Sequence, residues 1–322
     1  MMGSFVLKRL LHMVPLLLGI TFLSFIIISL APGDYLSTLK MNPQISEETI
    51  NRLEQEFGLD KPVYIQYVKW LWQIVHLNFG DSIAYRVDVL SLIMSRAFNT
   101  IILSAASIIF AWSLAIPIGI AVAYWQNSFL DRFLSLIAFF GMAIPNFFLA
   151  FLLLYFALKT GWFPVGGSFS YDYDSLTLWG KFTDRLYHLI LPVIVLGTSG
   201  MAGLMRLMRG NILEIKNSDY VRTARAKGLG EGVIIFKHVL RNALNPFITL
   251  AGYELGSLLG GAALVEAVLN LQGLGTMMLQ AVMGQDIYLI MGSLLIGALL
   301  LIIGNLIADI TLTLVDPRIK ME

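Results

Sequence analysis

Six apolar runs divide this chain: Leu10–Ala31, Thr100–Tyr124, Phe133–Leu158, Leu189–Leu207, Phe247–Leu269 and Ile287–Leu314. About 20 apolar residues wound as a helix are needed to cross the hydrocarbon of a bilayer. Inside lipid the backbone must satisfy its own hydrogen bonds, so spans of this kind are helices. The composition agrees, with 57% hydrophobic and 13% charged residues, against about 25% charge in soluble domains. The expectation is an all-α integral membrane protein with six transmembrane helices.

Lys8 and Arg9 precede the first run. That run is longer than the 7–15 residues usual for a cleaved signal, so it reads as an uncleaved anchor. Residues 1–99 are expected to hold this anchor and a large extracytoplasmic loop. Within the loop, Ser46–Phe57 reads as a helix, with Ser46 as its cap, acidic residues in its first turn and Gly58 as its stop. Pro62–Asn78 reads as a second helix. Its Tyr and Trp residues place it against the outer membrane surface, where amphipathic aromatics collect. Residues 100–314 form the expected permease core, and 315–322 a tail. In the third run Pro145 reads as a proline tolerated within a span. Gly197, Gly200 and Gly203 give the fourth run a face that another helix can approach closely. Asn270–Gln285 reads as a short re-entrant piece.

The most polar long stretch of the second half is SDYVRTARAKGLGEGVIIFKHVLRNALNP, Ser218–Pro246. Ser218 or Asp219 can cap a short helix running to Lys227, and Gly228 and Gly230 end it. Arg222, Arg225 and Lys227 leave the helix basic, while Ala224 and Ala226 leave room for another surface to come close. An amphipathic stretch, Val233–Ala243, leads back to the membrane. The residues alone admit two readings. One is a docking element spanning about 208–245. The other is a connecting loop that is basic because cytoplasmic loops generally are.

Orientation follows from the cations. With the N-terminus inside, 13 of the 22 Lys and Arg residues fall on cytoplasmic segments, which are also the shorter ones. Both termini are then cytoplasmic. A net charge of +1 gives no lead toward nucleic acid.

No GxxxxGK[ST] phosphate loop, HExxH or GxSxG occurs, so ATP binding or hydrolytic chemistry by this chain is not expected. There is no cysteine, and His12, His76, His188 and His238 lack metal-ligand spacing. No metal and no cofactor of its own is therefore expected. Ionisable groups inside spans are expensive and mark function. Glu254 and Glu266 in the fifth run and Asp309 in the sixth are the translocation or gate candidates. For Glu266 the plainer reading is a hydrated interfacial residue or a cap on the next loop. For Asp309 it is pairing with a neighbouring helix. Met277, Met278 and Met283 are candidates for an adaptable lining. A self-contained secondary transporter is the competing class. It would show inverted repeats around a midplane site, and no repeat is visible.

The docking stretch resembles the cytoplasmic coupling loop of ATP-binding-cassette importer permeases, in the form used by the dipeptide, oligopeptide and nickel permeases. The general pattern is Glu-Ala-Ala, three residues, then Gly. Arg222, Thr223, Ala224 and Gly228 stand at those positions, in the Arg-Thr-Ala-Arg-Ala-Lys-Gly wording of the peptide type. LAPGD, GLDKPVYIQYVKWL, IPNFFLAFLLLYF, GWFPVGG, HLILPVIVLG and ITLTLVDPRIK resemble the same family from end to end. GGAALVEAVLNLQGLG does too, with Gln272 where the family usually has Pro.

The resemblance implies the type I importer permease fold. It also implies a second homologous permease, two cytoplasmic ATPase subunits that bind ATP and Mg, and an extracytoplasmic solute-binding protein. Asp219, Tyr220, Arg222, Thr223, Ala224, Arg225, Ala226, Lys227 and Gly228 would seat in a cleft of the ATPase. Peptides are the expected solute, with oligosaccharides and nickel or other chelated metals as alternatives.

Overall fold

A computed structural model describes residues 2–30, 46–247 and 263–315, together with Lys40 and Leu250. All regular elements among them are helical, and the only strand-like pairing is a bridge between Asp81 and Asp88. The chain divides into two compact units, Met1–Thr100 with Gly273–Ile303, and Ile101–Gln272 with Gly304–Glu322.

In the first unit, α1 (Met2–Leu30) contains the apolar stretch Leu11–Leu30. Helix α2 (Glu47–Phe57) starts on Ser46, whose side chain accepts from the Thr49 amide at 3.2 Å, and stops at Gly58 with φ +67°. Both ends were readable from residue type. Helix α3 (Val63–Val75) packs on α1 through Tyr67, with Trp70 buried beside it.

Helix α4 (Val89–Tyr124) has 36 residues, about 54 Å long. It therefore starts well before the expected span at Thr100. A tight turn follows, with Asn127 at φ +63°. Then α5 (Phe129–Ala143) and α6 (Asn146–Thr160) are separated by a 97° bend. The expected single span Phe133–Leu158 is thus corrected to a broken pair. The ring of Pro145 disfavours helical backbone at the residue before it. Ile144 is accordingly extended, at φ −81° and ψ 123°.

A loop containing a short 3-10 turn (Tyr173–Ser175) leads to α7 (Leu178–Lys216), with 39 residues the longest helix described. At about 58 Å it far exceeds a bilayer's hydrocarbon, so Leu189–Leu207 is only its middle. Gly197 lies against Phe110 and the Ser107 carbonyl of α4, where a Cβ would come within 2.5 Å of the ring. Gly200 and Gly203 face open space. Among the described residues, only the first of the three thus makes a close helix–helix contact.

Next come α8 (Asp219–Ala226), α9 (Glu231–Val233), a π-helical stretch (Ile234–Val239) and α10 (Leu240–Ala243). Helix α11 (Ala263–Val268) precedes α12 (Leu274–Met283) and α13 (Ile287–Val315). Among the described residues four helices are long and apolar enough to cross a membrane, and five spans result if α5 and α6 count as one. The fifth run of the sequence falls largely outside the described residues.

Candidate functional site

Helix α8 is held by two side chains on one face. Val221 is fully buried and Ala224 nearly so. Both join a core with Val122 and Ala123 of α4, Met205, Met208 and Ile212 of α7, and Ile234 and Val239 of the π-helical stretch. The expectation that Ala224 leaves room for a partner is therefore corrected: its small side chain allows α8 to lie close to its own chain. Ala226 is exposed and keeps that role open.

Asp219, Tyr220, Arg222, Thr223, Arg225, Lys227 and Gly228 all face outward. The start of the helix is simpler than expected. Ser218 is at the cap position, but its hydroxyl donates back to the Ile215 carbonyl at 2.7 Å. The end is a Schellman motif: Leu229 N donates to Ala224 O at 3.3 Å, and Gly228 N to Arg225 O at 3.0 Å. Gly228 takes φ +77°, and a Cβ there would meet nothing within 4 Å. Backbone conformation alone demands glycine within the chain.

The electrostatics are those of an exposed cationic ridge. Arg222 lies 3.8 Å from Asp219. Arg225 reaches across the Lys227–Gly230 turn to Glu231, with Nε donating to Oε1 at 2.5 Å and the terminal nitrogen to Oε2 at 3.3 Å. The hydrogen bond from Arg225 holds the Glu231 carboxyl below its ordinary value, and its counterpart raises Arg225. On the same outer face, Asn242 Nδ2 donates to Tyr220 Oη at 2.8 Å and to the His238 carbonyl at 3.3 Å.

Two contacts absent from the sequence reading fix the long helix that carries α8. Arg209 of α7 pairs with Asp131 of α5 at 3.0 Å, and Asp131 is buried. Asp131 also accepts from the Asn127 amide. Asn211 of α7 donates to the Ala243 carbonyl at 3.0 Å. The partners in the first pair are 78 residues apart, and no local pattern joins them.

Glu254 lies outside the described residues. Asp309 is half-buried on α13. Glu266 is fully buried on α11, which corrects the expectation of a hydrated interfacial side chain. The end of α11 is clasped by the GWFPVGG loop. Gly167 N donates to Leu269 O at 2.8 Å, and a Cβ on Gly166, at φ +83°, would sit 2.6 Å from that same carbonyl. The methionines do not share a lining: Met277 is buried, whereas Met283 is exposed. Among the described residues no group of His, Cys, Asp and Glu could hold a metal ion.

The family described as binding-protein-dependent transport system inner membrane component matches residues 115–321, and its N-terminal companion matches residues 2–106. The oligopeptide transport system permease protein AppB of Bacillus subtilis is 42% identical over 321 residues, 99% of this chain and 100% of that one. The dipeptide transport system permease protein DppB of Escherichia coli K12 is 35% identical, covering 99% of both. A chain of the MetNI methionine ABC transporter, solved in inward-facing conformations, superposes with a TM-score of 0.52. It shares 19% identity over 70% of this chain and 97% of that one, and so shares the fold. The helical, multi-span architecture and the matched residues agree: the chain belongs to the family of binding-protein-dependent transport system inner membrane components.

Proposed function

We propose that this chain is the transmembrane permease subunit of an ATP-driven peptide importer, and that α8 is where the motor engages it. One observation carries this reading. A short helix with a buried apolar face and an outward cationic ridge projects from a helix about 58 Å long. The ridge presents Asp219, Tyr220, Arg222, Thr223, Arg225, Ala226, Lys227 and Gly228 to a cleft on an ATPase subunit. The ATPase supplies the ATP and Mg chemistry. A second homologous permease completes the pathway, and a solute-binding protein delivers peptide from outside. Both termini and α8 lie in the cytoplasm, in keeping with the distribution of Lys and Arg.

The mechanism follows from how α8 is attached. Val221 and Ala224 lock it onto α4 and α7, so a displacement of α8 becomes a displacement of those helices rather than of a loose loop. ATP can shift the bundle between inward-open and outward-open states only if the docked complex binds it differently in the two. Transport by alternating access is the consequence. Oligopeptide and dipeptide permeases among the relatives support peptide as the solute.

The test is reconstitution of the full assembly in vesicles with a labelled oligopeptide. ATP-dependent uptake that requires the ATPase subunits is expected. Uptake by this chain alone, driven by a proton or sodium gradient, would overturn the reading.

A further inference from the structure

We propose that α3 is immersed in the outer leaflet of the bilayer, with acyl chains covering the face formed by Tyr64, Val68, Trp72 and Val75. The inference rests on this chain being a membrane permease, and it adds a lipid-binding surface to that reading.

Three sides of α3 carry three kinds of residue. Tyr67 is buried against α1, and Trp70 is buried beside it, stacked on the Tyr67 ring. Tyr67 Oη lies 3.0 Å from Thr21 Oγ1 and donates to the Leu18 carbonyl at 3.2 Å. Its ring packs edge-on against Phe22 and Phe25, with centroids 5.4 and 5.5 Å away. A second side is polar. Gln66 donates to the Lys61 carbonyl at 2.8 Å and Lys69 reaches back to the Gly58 turn, whereas the side-chain oxygen of Gln73 is buried. The third side is apolar: among the described residues Tyr64, Val68, Trp72 and Val75 are 62–78% exposed, and the Trp72 ring touches His76, with centroids 4.2 Å apart. At about 100° per residue, this apolar arc is centred about 140° from the polar one.

Depth is set by α1. Leu18, Thr21, Phe22 and Phe25 all lie inside the apolar stretch Leu11–Leu30, which is itself long enough to cross the membrane. A helix tied to that stretch is held at bilayer depth, not above it. With 13 residues α3 is about 20 Å long, too short to cross about 30 Å of hydrocarbon. The arrangement that satisfies all three sides turns Gln66 and Lys69 toward the headgroups and Tyr64, Val68, Trp72 and Val75 toward the acyl chains. Amphipathic helices in the membrane interface partition in this way. A water-facing position would leave four large apolar side chains hydrated on one stripe. A protein partner is the alternative cover, and the experiment separates the two.

The chain has no cysteine, so each introduced cysteine is unique in it. Single spin labels are placed at residues 64, 66, 68, 69, 72 and 75 of the full-length chain in vesicles, first alone and then with its partner subunits. Labels at Leu16 and Leu23, exposed positions on α1, serve as internal references for lipid. The expected result is oxygen collision several-fold above collision with a water-soluble nickel complex at 64, 68, 72 and 75, with the order reversed at 66 and 69. Nickel access at 64, 68, 72 and 75 while the α1 references read lipid would overturn the proposal and leave the permease reading standing. Shielding of those four sites from both reagents would overturn it in favour of a protein partner. If the α1 references also read water, the membrane reading itself fails. A second readout needs no label: lipids brominated on the acyl chain should quench Trp72, and Trp72→Phe should remove that share of the quenching. No change in quenching would count against acyl-chain contact.

Discussion

Helices α3 and α8 are attached by the same device and differ in what they show to the outside. Each is too short to be stable alone in water. Each is gripped through two buried side chains three residues apart, Tyr67 and Trp70 in one, Val221 and Ala224 in the other. Beyond the grip they diverge. α8 turns out Arg222, Arg225 and Lys227, and α3 turns out Tyr64, Val68, Trp72 and Val75. The grip fixes position, and the free face reports the medium or partner it meets. A cationic ridge fits an aqueous protein cleft, and an apolar stripe at membrane depth fits lipid.

The strongest way to break the comparison is to destroy a grip. Val221→Asp places a carboxylate where no side chain is exposed to water, at a cost on the order of 3 kcal/mol or more. Transport and ATPase co-purification should both be lost, while membrane insertion is retained. Co-purification at the normal level would show that α8 docks without its buried face. The same change at an outward position, Thr223→Asp, should leave the loop folded.

The two helices were not equally readable in advance. Ser46, Gly58 and Gly228 announced helix ends because local backbone chemistry decides them. The stop of α8 follows for the same reason, one residue before the expected Lys227, whereas Ser218 stands at its start without a side-chain cap bond. The inward turn of Ala224 did not follow, since in an eight-residue helix both alanines suit either side and packing against α4 and α7 decides. The break at Pro145 was misread because proline is tolerated within spans. Ile144 in extended backbone, with a 97° bend, depends on what α5 and α6 each pack against. The Asp131–Arg209 pair and the clasp of Gly166 and Gly167 on Leu269 join residues remote in sequence, and one sequence alone does not pair them. Glu266 looked interfacial by its place in the run, yet packing buries it.

A smaller effect separates strain from docking at Gly228. The chain leaves that Cβ direction open, so Gly228→Val costs about 1–2 kcal/mol through its left-handed backbone and also projects bulk at the partner. Gly228→Asn keeps much of the left-handed tolerance. If docking matters, both variants lower ATP-driven uptake and raise uncoupled ATP hydrolysis, with Val worse. If Asn transports normally and only Val fails, the glycine serves backbone geometry alone.

At the grip of α3, Tyr67→Phe keeps the ring between Phe22 and Phe25 and removes the hydroxyl. The expected loss is about 1 kcal/mol, because Thr21 Oγ1 retains its bond to the Leu17 carbonyl at 2.8 Å. Chemical denaturation of the detergent-solubilised chain should shift slightly, with transport intact. A large loss of transport would mean that α3 does more than anchor.

The smallest effect concerns the Arg225–Glu231 bridge over the α8 turn. Both groups are largely exposed, so water and salt screen the pair and its worth is low. The sign of its pH dependence is still fixed. Glu231 is held below its ordinary value in the folded loop. Its contribution is therefore present above the unfolded carboxylate range and lost as pH falls through the lowered value. Arg225 is raised, so its share is lost only as pH rises through that raised value, in strong alkali. Between about pH 5 and pH 9 the bridge should add a constant amount. Glu231→Gln should then leave uptake nearly unchanged at low salt and indistinguishable at high salt. A clear pH dependence of coupling near neutrality that vanishes in Glu231→Gln would place this pair in the docked interface, where the partner shields it from solvent.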